Sequence, residues 1–162
     1  MILIALGANL PSPAGTPVET LRAVLGQFPH HDISVGAISP FYLSRAWPDP
    51  RDPPFVNSVA RIGTAHDPLR LLGIFQQMER IFGRESGPRN APRPLDLDIL
   101  DYEGRIEEGP PQLPHPRLHE RGFVLVPLCD IAPGWRHPVL GRSVGELIAA
   151  LPPEARALTS LS

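Results

Sequence analysis

The sequence predicts an α+β fold, a mainly antiparallel sheet with helices on one face. Three observations predict it. Segments 17–28 and 66–83 carry apolar residues at helical spacing behind helix-start signals. Segments 1–6, 33–44, 55–64 and 92–100 are short and apolar, as strands are. They follow one another as β-α-β-β-α-β with a C-terminal extension, which is the split βαβ, ferredoxin-like order. In such a sandwich the sheet face away from the helices is free to build a site.

Each element has its own reason. "MILIAL" is a buried first strand, and "GANLPSPAGTP" is the loop after it. In "PVETLRAVLGQF", Pro17 suits a first helical position, and Val18, Leu21, Val24, Leu25 and Phe28 share a helix face. "ISVGAISPFYLS" alternates as a strand, with Pro40 marking a bulge or an edge. "RAWPDPRDPP", residues 45–54, is a proline-rich loop. In "FVNSVARIGT" the better core face is Val56, Ser58, Ala60 and Ile62, which turns Phe55 and Asn57 to the other side. "HDPLRLLGIFQQMERIFG" is the clearest helix: Asp67 caps it, Pro68 opens it, Gly83 ends it, and Leu71, Leu72, Phe75, Met78 and Phe82 form its stripe. After the loop 84–94 and the strand 92–100, "RIEEG" is expected to pair back as a hairpin. "LPHPRLHERGFVLVPL" reads as a turn and a short apolar element, and "SVGELIAALP" as a last helix.

A chain of 162 residues with 42% hydrophobic residues is expected to be one domain, 1–162, with its own core. A net charge of −2 argues against a nonspecific nucleic-acid or membrane-surface binder. One cysteine, Cys129, excludes an internal disulfide and a cysteine-only zinc site. No apolar run approaches a membrane span, and the apolar start lacks a basic segment before it, so a cytoplasmic, monomeric protein is expected. All 15 basic residues are arginine. Any phosphate site must therefore use Arg forks or backbone amides.

The strand "PRPLDLDIL" contains a conflict. Aspartate is depleted from strands, yet Asp96 and Asp98 interrupt this one. Residues i and i+2 share a strand face, so the carboxylates stand about 7 Å apart. Two readings fit: salt bridges to neighbouring arginines on a solvated face, or a bound divalent cation that relieves both repulsion and desolvation. Arg84, Arg89 and Arg93 crowd the preceding loop. That favours a metal–polyphosphate site, with the loop closing over the phosphates. No phosphate-binding GxxxxGK[ST] loop is present. His115 and Arg121 are placed to reach phosphate oxygens. Phe55, Asn57 and Phe123 suit a slot for a flat heterocycle, two aromatics to sandwich it and an amide to read its edge.

At these residues the sequence resembles the 6-hydroxymethyl-7,8-dihydropterin pyrophosphokinases. "PRPLDLDIL" is similar to their G-P-R-T-x-D-x-D signature. "IALGANL", "FYLSRAWPDPRDPPFVNSV" and "PHPRLHERGFVLVPLCDIAP" resemble their N-terminal strand and turn, their mobile loop with its flanking strands, and their C-terminal block. The resemblance covers nearly the whole chain. It implies a ferredoxin-like fold and transfer of pyrophosphate from ATP to the dihydropterin hydroxymethyl group, releasing AMP, in folate biosynthesis. By that resemblance Asp96 and Asp98 bind two Mg²⁺ ions. Arg84 and Arg93 hold the phosphates and, with the aspartates, form the catalytic set. Leu72, Gln76, Glu79, Ile99, His115 and Arg121 complete the ATP site. Phe55 and Phe123 stack on the pterin, Asn57 bonds its edge, and Ser44, Arg45 and Trp47 close the slot. Five residues depart from the family pattern: Glu85 and Ser86 where a second arginine is common, Asn90 where some members have tryptophan, Pro94 for threonine, and Pro116 after His115.

Two readings from other classes use the same features. A palm-like nucleotidyltransferase also presents carboxylates on a ferredoxin-like sheet, but it releases pyrophosphate instead of AMP. A ligand-binding regulatory module turns over no nucleotide and leaves the aspartate pair and arginines unexplained.

Overall fold

A computed structural model describes residues 1–45, 49–84 and 92–161. The first strand, β1 (Ile2–Ala8), lies inside the sheet, paired on both sides. Helix α1 (Pro17–Gln27) starts at a capping box: Thr16 accepts from the Glu19 amide, and the Glu19 carboxylate accepts from the Thr16 amide. The segment 33–44 is not one strand. It splits at Pro40 into β2 (Ser34–Ile38) and β3 (Tyr42–Ser44), because proline cannot donate to a ladder. Strand β4 (Phe55–Gly63) pairs with β1, β2 and β3. Helix α2 (Pro68–Ile81) is capped by Asp67, which accepts from the Arg70 amide, and Gly83 ends it at φ +94°. Strand β5 (Asp96–Tyr102) pairs with the other side of β1.

The C-terminal region departs from expectation. "RIEEG" does not fold back on β5; Glu107 instead bridges Leu113 across a short loop. The apolar element after His115 is a ten-residue helix, α3 (Gly122–Ile131), with Pro127 inside it. Helix α4 (Val144–Ala149) follows, capped by Ser143, and then a 3-10 turn at Pro153–Arg156. A two-residue strand, β6 (Thr159–Ser160), adds to the edge at β3. Among the described residues the sheet order is β5-β1-β4-β3-β6, with β2 also on β4, and every pairing is antiparallel. The α+β, ferredoxin-like expectation is met. No helix among the described residues is long and apolar enough to cross a membrane.

Both sheet faces carry apolar cores. On one, α1 and α2 bury Ile2, Ile4, Leu6, Val56, Ala60, Leu97 and Ile99 against Leu21, Val24, Phe75 and Met78. Each of these side chains larger than alanine contributes about 1.5–3 kcal/mol by burial. Val56, Ala60 and Ile62 of the expected β4 core face are there, while buried Ser58 bonds Ser39 at 2.9 Å. The opposite face is not free, contrary to the expectation from the split βαβ order alone. Helices α3 and α4 cover part of it, packing Val124, Leu125, Leu128 and Leu147 on Leu3, Val59 and Leu100. A site has only the remainder of that face.

Candidate active site

The remainder lies where β1 ends and β5 begins. Asp96 and Asp98 alternate with Leu97 and Ile99, whose side chains enter the helix-side core. Their carboxylates therefore face the uncovered part of the other side. Asp96 is registered with Gly7 of β1, and Gly7 in turn with Asn57 of β4. One row across three strands thus runs Asp96, Gly7, Asn57, so the carboxylate and the amide are about 10 Å apart at ordinary strand spacing. A Cβ at Gly7 would lie 2.8 Å from Asn57 Oδ1. Glycine there lets the amide lean over β1 toward the acids.

Cations converge on the same point. Arg84 Nη1 donates to Asp96 Oδ1 at 3.1 Å and to Glu79 Oε2 at 2.6 Å. Arg93 Nη1 approaches Asp96 Oδ1 at 3.5 Å. His115 Nε2 stands 4.0 Å from Asp98 Oδ2. The two aspartates keep 29% and 31% of their side-chain surface exposed. Burial first, then the charge of Asp96, pushes the Asp98 carboxyl from its ordinary 3.8 up to about 7, against the pull of Arg121. Among the described residues no third Asp, Glu, His or Cys joins the pair as a metal cluster. Two mutually repelling carboxylates with an all-oxygen donor set fit Mg²⁺, which takes one or two protein carboxylates and fills its shell with phosphate oxygens and water.

Glu79 has a narrower part than its place in an ATP site suggests. Its Oε2 accepts from Arg84 and also from the Leu97 amide at 2.8 Å. It is 9% exposed, and burial raises its pKa despite these donors. The carboxylate ties α2 to β5 and aims Arg84. Leu72 and Gln76 lie on the same face of α2 at helical spacing, Leu72 half-buried and Gln76 exposed. The Ile99 side chain is in the helix-side core. Its backbone lies on the outer edge of β5, where no strand pairs among the described residues.

Three of the expected slot residues, Ser44, Phe55 and Asn57, come together. Ser44 of β3 is registered with Phe55 and Tyr42 with Asn57, all on the face that α3 covers. Asn57 Nδ2 donates to Ser44 Oγ at 2.9 Å. Phe123, the second residue of α3, is half-buried, with the Arg121 guanidinium 5.5 Å from its ring centre. Arg45 is exposed at the end of β3. Trp47, Arg89 and Asn90 lie outside the described residues, as does most of the loop expected to close over the phosphates. A surface depression lined by Asp67, Arg70 and Ile74 sits at the opposite end of α2 from Glu79.

Asn9 is a site residue that sequence reasoning missed. It is buried, its Oδ1 accepts from the Arg93 amide at 2.8 Å, its amide donates to the Arg93 carbonyl, and its Nδ2 donates to the Pro53 carbonyl at 3.0 Å. One side chain thereby holds the arginine loop and the loop before β4 to the end of β1. The signal was an Asn directly after a strand, where Asx side chains bond neighbouring backbone.

A sheet face with paired carboxylates under an arginine clamp is the arrangement of a phosphate-handling α+β transferase. Residues 3–133 match the model of the 7,8-dihydro-6-hydroxymethylpterin-pyrophosphokinase (HPPK) family. The chain belongs to that family. It is 39% identical over 153 residues to the 2-amino-4-hydroxy-6-hydroxymethyldihydropteridine pyrophosphokinase of Pseudomonas aeruginosa, covering 93% of this chain and 91% of that one. It is 40% identical over 131 residues to the enzyme of the same name from Haemophilus influenzae, covering 80% and 79%. The crystal structure of a Plasmodium falciparum HPPK-DHPS triple mutant superposes with a TM-score of 0.67 at 13% identity, which speaks to fold alone. This chain spans 41% of that longer protein.

Proposed function

We propose that the site works as follows in an enzyme that transfers pyrophosphate from ATP to 6-hydroxymethyl-7,8-dihydropterin and releases AMP, a step of folate biosynthesis. The observation that carries the assignment is the convergence of Arg84 and Arg93 on Asp96 beside Asp98. Asp96 and Asp98 hold Mg²⁺, two ions in this reading, which would supply charge neutralisation at the phosphate oxygens. Arg93 and Arg84 clamp the triphosphate, Glu79 and Asn9 hold those arginines in place, and His115 and Arg121 bind its outer oxygens. Leu72 and Gln76 of α2 and the edge backbone of Ile99 receive the nucleoside end. The pterin lies between Phe55 and Phe123, its edge on Asn57, with Ser44, Arg45 and Trp47 around it. The row Asp96–Gly7–Asn57 then sets the pterin hydroxyl beside the phosphates. Catalysis follows from positioning and charge stabilisation, with in-line attack of the hydroxyl on the β-phosphorus.

The reading takes a monomer as the working unit. An unpaired cysteine and ATP as co-substrate support the cytoplasm as its location. The test is a product assay with ATP, Mg²⁺ and the dihydropterin. AMP and the pterin diphosphate are expected, in equal amounts and only with all three present. Release of inorganic pyrophosphate, or no turnover, overturns the reading.

A further inference from the structure

The proposed pterin slot has two walls on different elements. One is the β3–β4 ladder with Ser44, Phe55 and Asn57; the other is the start of α3 with Phe123. No backbone ladder joins α3 to β3, so something else must set the gap. One bond outside the slot spans the two walls directly, and the C-terminal segment joins them by a second route. Tyr42, the cross-strand partner of Asn57, donates its hydroxyl to Asp130 Oδ2 of α3 at 2.5 Å. That bond is the main cause holding the Tyr42 hydroxyl up to about 12. At the other end of α3, Gly122 lies against the 3-10 turn so closely that a Cβ would stand 1.6 Å from the Ala155 carbonyl oxygen. The chain then runs from that turn straight to β3, where β6 pairs with Tyr42 and Leu43 and the Leu161 amide donates to the Phe41 carbonyl at 2.8 Å. The C-terminal segment 153–161 is thus seated on both walls at once.

We infer that the Tyr42–Asp130 hydrogen bond and the C-terminal strap together set the spacing of the pterin slot, making Tyr42, Asp130 and Gly122 positioning residues for the heterocyclic substrate. They touch no substrate; they act through Phe123 on one side and Ser44 and Asn57 on the other. A flat ring stacked between two aromatics tolerates little change in their separation, because dispersion contact falls off within a fraction of an ångström. The ATP side of the site is built mainly on β5, α2 and the arginine loop, and Arg121 is its residue next to Gly122 at the strap contact. The Tyr42–Asp130 bond, at the far end of α3, is therefore the contact whose loss acts selectively on one substrate. The inference rests on the proposed slot.

The experiment titrates the dihydropterin, and separately a non-hydrolysable ATP analogue with Mg²⁺, into the full chain and its variants by calorimetry. Tyr42→Phe and Asp130→Ala are each expected to weaken pterin binding about fivefold, the effect of one hydrogen bond, and to leave the ATP analogue unchanged. Asp130→Asn keeps an acceptor for the tyrosine and should bind pterin like the parent. Gly122→Ala, which must push the strap away, should weaken pterin binding about tenfold or more by displacing Phe123. If it fails to fold, the Tyr42 and Asp130 series decides. Equal losses for both ligands in Tyr42→Phe or Asp130→Ala, or Asp130→Asn as damaging as Asp130→Ala, overturn the inference. Parent-like pterin affinity in Tyr42→Phe and Asp130→Ala, while Asn57→Ala weakens it, overturns the clamp and spares the slot. Parent-like affinity in Asn57→Ala removes the slot, and the clamp with it.

Discussion

The two faces of the sheet are buried in different ways. The face under α1 and α2 is apolar along its length, from Ile2 and Ile4 through Val56 to Leu97 and Ile99. The opposite face is divided. Under α3 it packs Leu3, Val59 and Leu100; beyond that it carries Asp96, Asp98, Asn57 and Ser44. The first face only has to exclude water. The second has to leave room for ligand while keeping its polar groups in register, and it does so with few apolar contacts. Substitutions on the two faces should therefore be read out in different measurements.

The largest effect expected is on the helix-side face. Phe75 is fully buried and stacks on Phe28 with ring centres 6.0 Å apart. Phe75→Ala should cost about 3–5 kcal/mol in urea unfolding, with turnover per folded molecule unchanged. A loss of turnover at full folding would show that the faces are not separable. Next comes Asp98→Ala, which should lower turnover about 10²–10³-fold at saturating Mg²⁺ with no loss of stability. Near-parent turnover would remove the aspartate pair from the proposed site. Smaller again is Asn57→Ala: pterin affinity should fall by the equivalent of about 1–3 kcal/mol, the cost of a buried group left unpaired, with the ATP analogue unaffected.

The smallest effect is a pH dependence of stability in the metal-free protein. A carboxyl raised from 3.8 to about 7 by folding binds its proton more tightly folded than unfolded. Its contribution to stability therefore falls as pH rises between those values and is level above the upper one. In chelator, Asp98→Asn should narrow the Tm gap between pH 5 and pH 8 and raise Tm at pH 8. An unchanged gap would mean that the acid pair is not strained without a cation.

How much was legible followed the same division. Helices α1 and α2 could be read because their start signals, Pro17 for the first and Asp67 with Pro68 for the second, agree with their apolar period. Helix α3 could not. "GFVLVPLCDI" is apolar nearly all round and holds Pro127, so it lacks the one-sided period that marks a helix. That helix covers part of the second face, which is why the face read as open. The aspartate pair stood out because acids in a strand are anomalous. Glu79 and Asn9 did not stand out as anchors, since the bonds that commit them run to backbone groups of Leu97, Arg93 and Pro53, far away in sequence. Strand β6, two residues long, has no pattern to read.

Glu79 has a consequence beyond aiming an arginine. Strand β5 is the last in the sheet on its side, and an exposed edge of peptide groups is a template onto which another chain can add. Here the Leu97 amide is taken by a helix carboxylate, and the Leu100 carbonyl by the amide of His115. What remains between them is the short stretch around Ile99. It is long enough to meet the rim of a nucleobase and too short to recruit a strand. The capping that shapes the proposed nucleotide edge thereby also guards the folded enzyme against edge-to-edge aggregation.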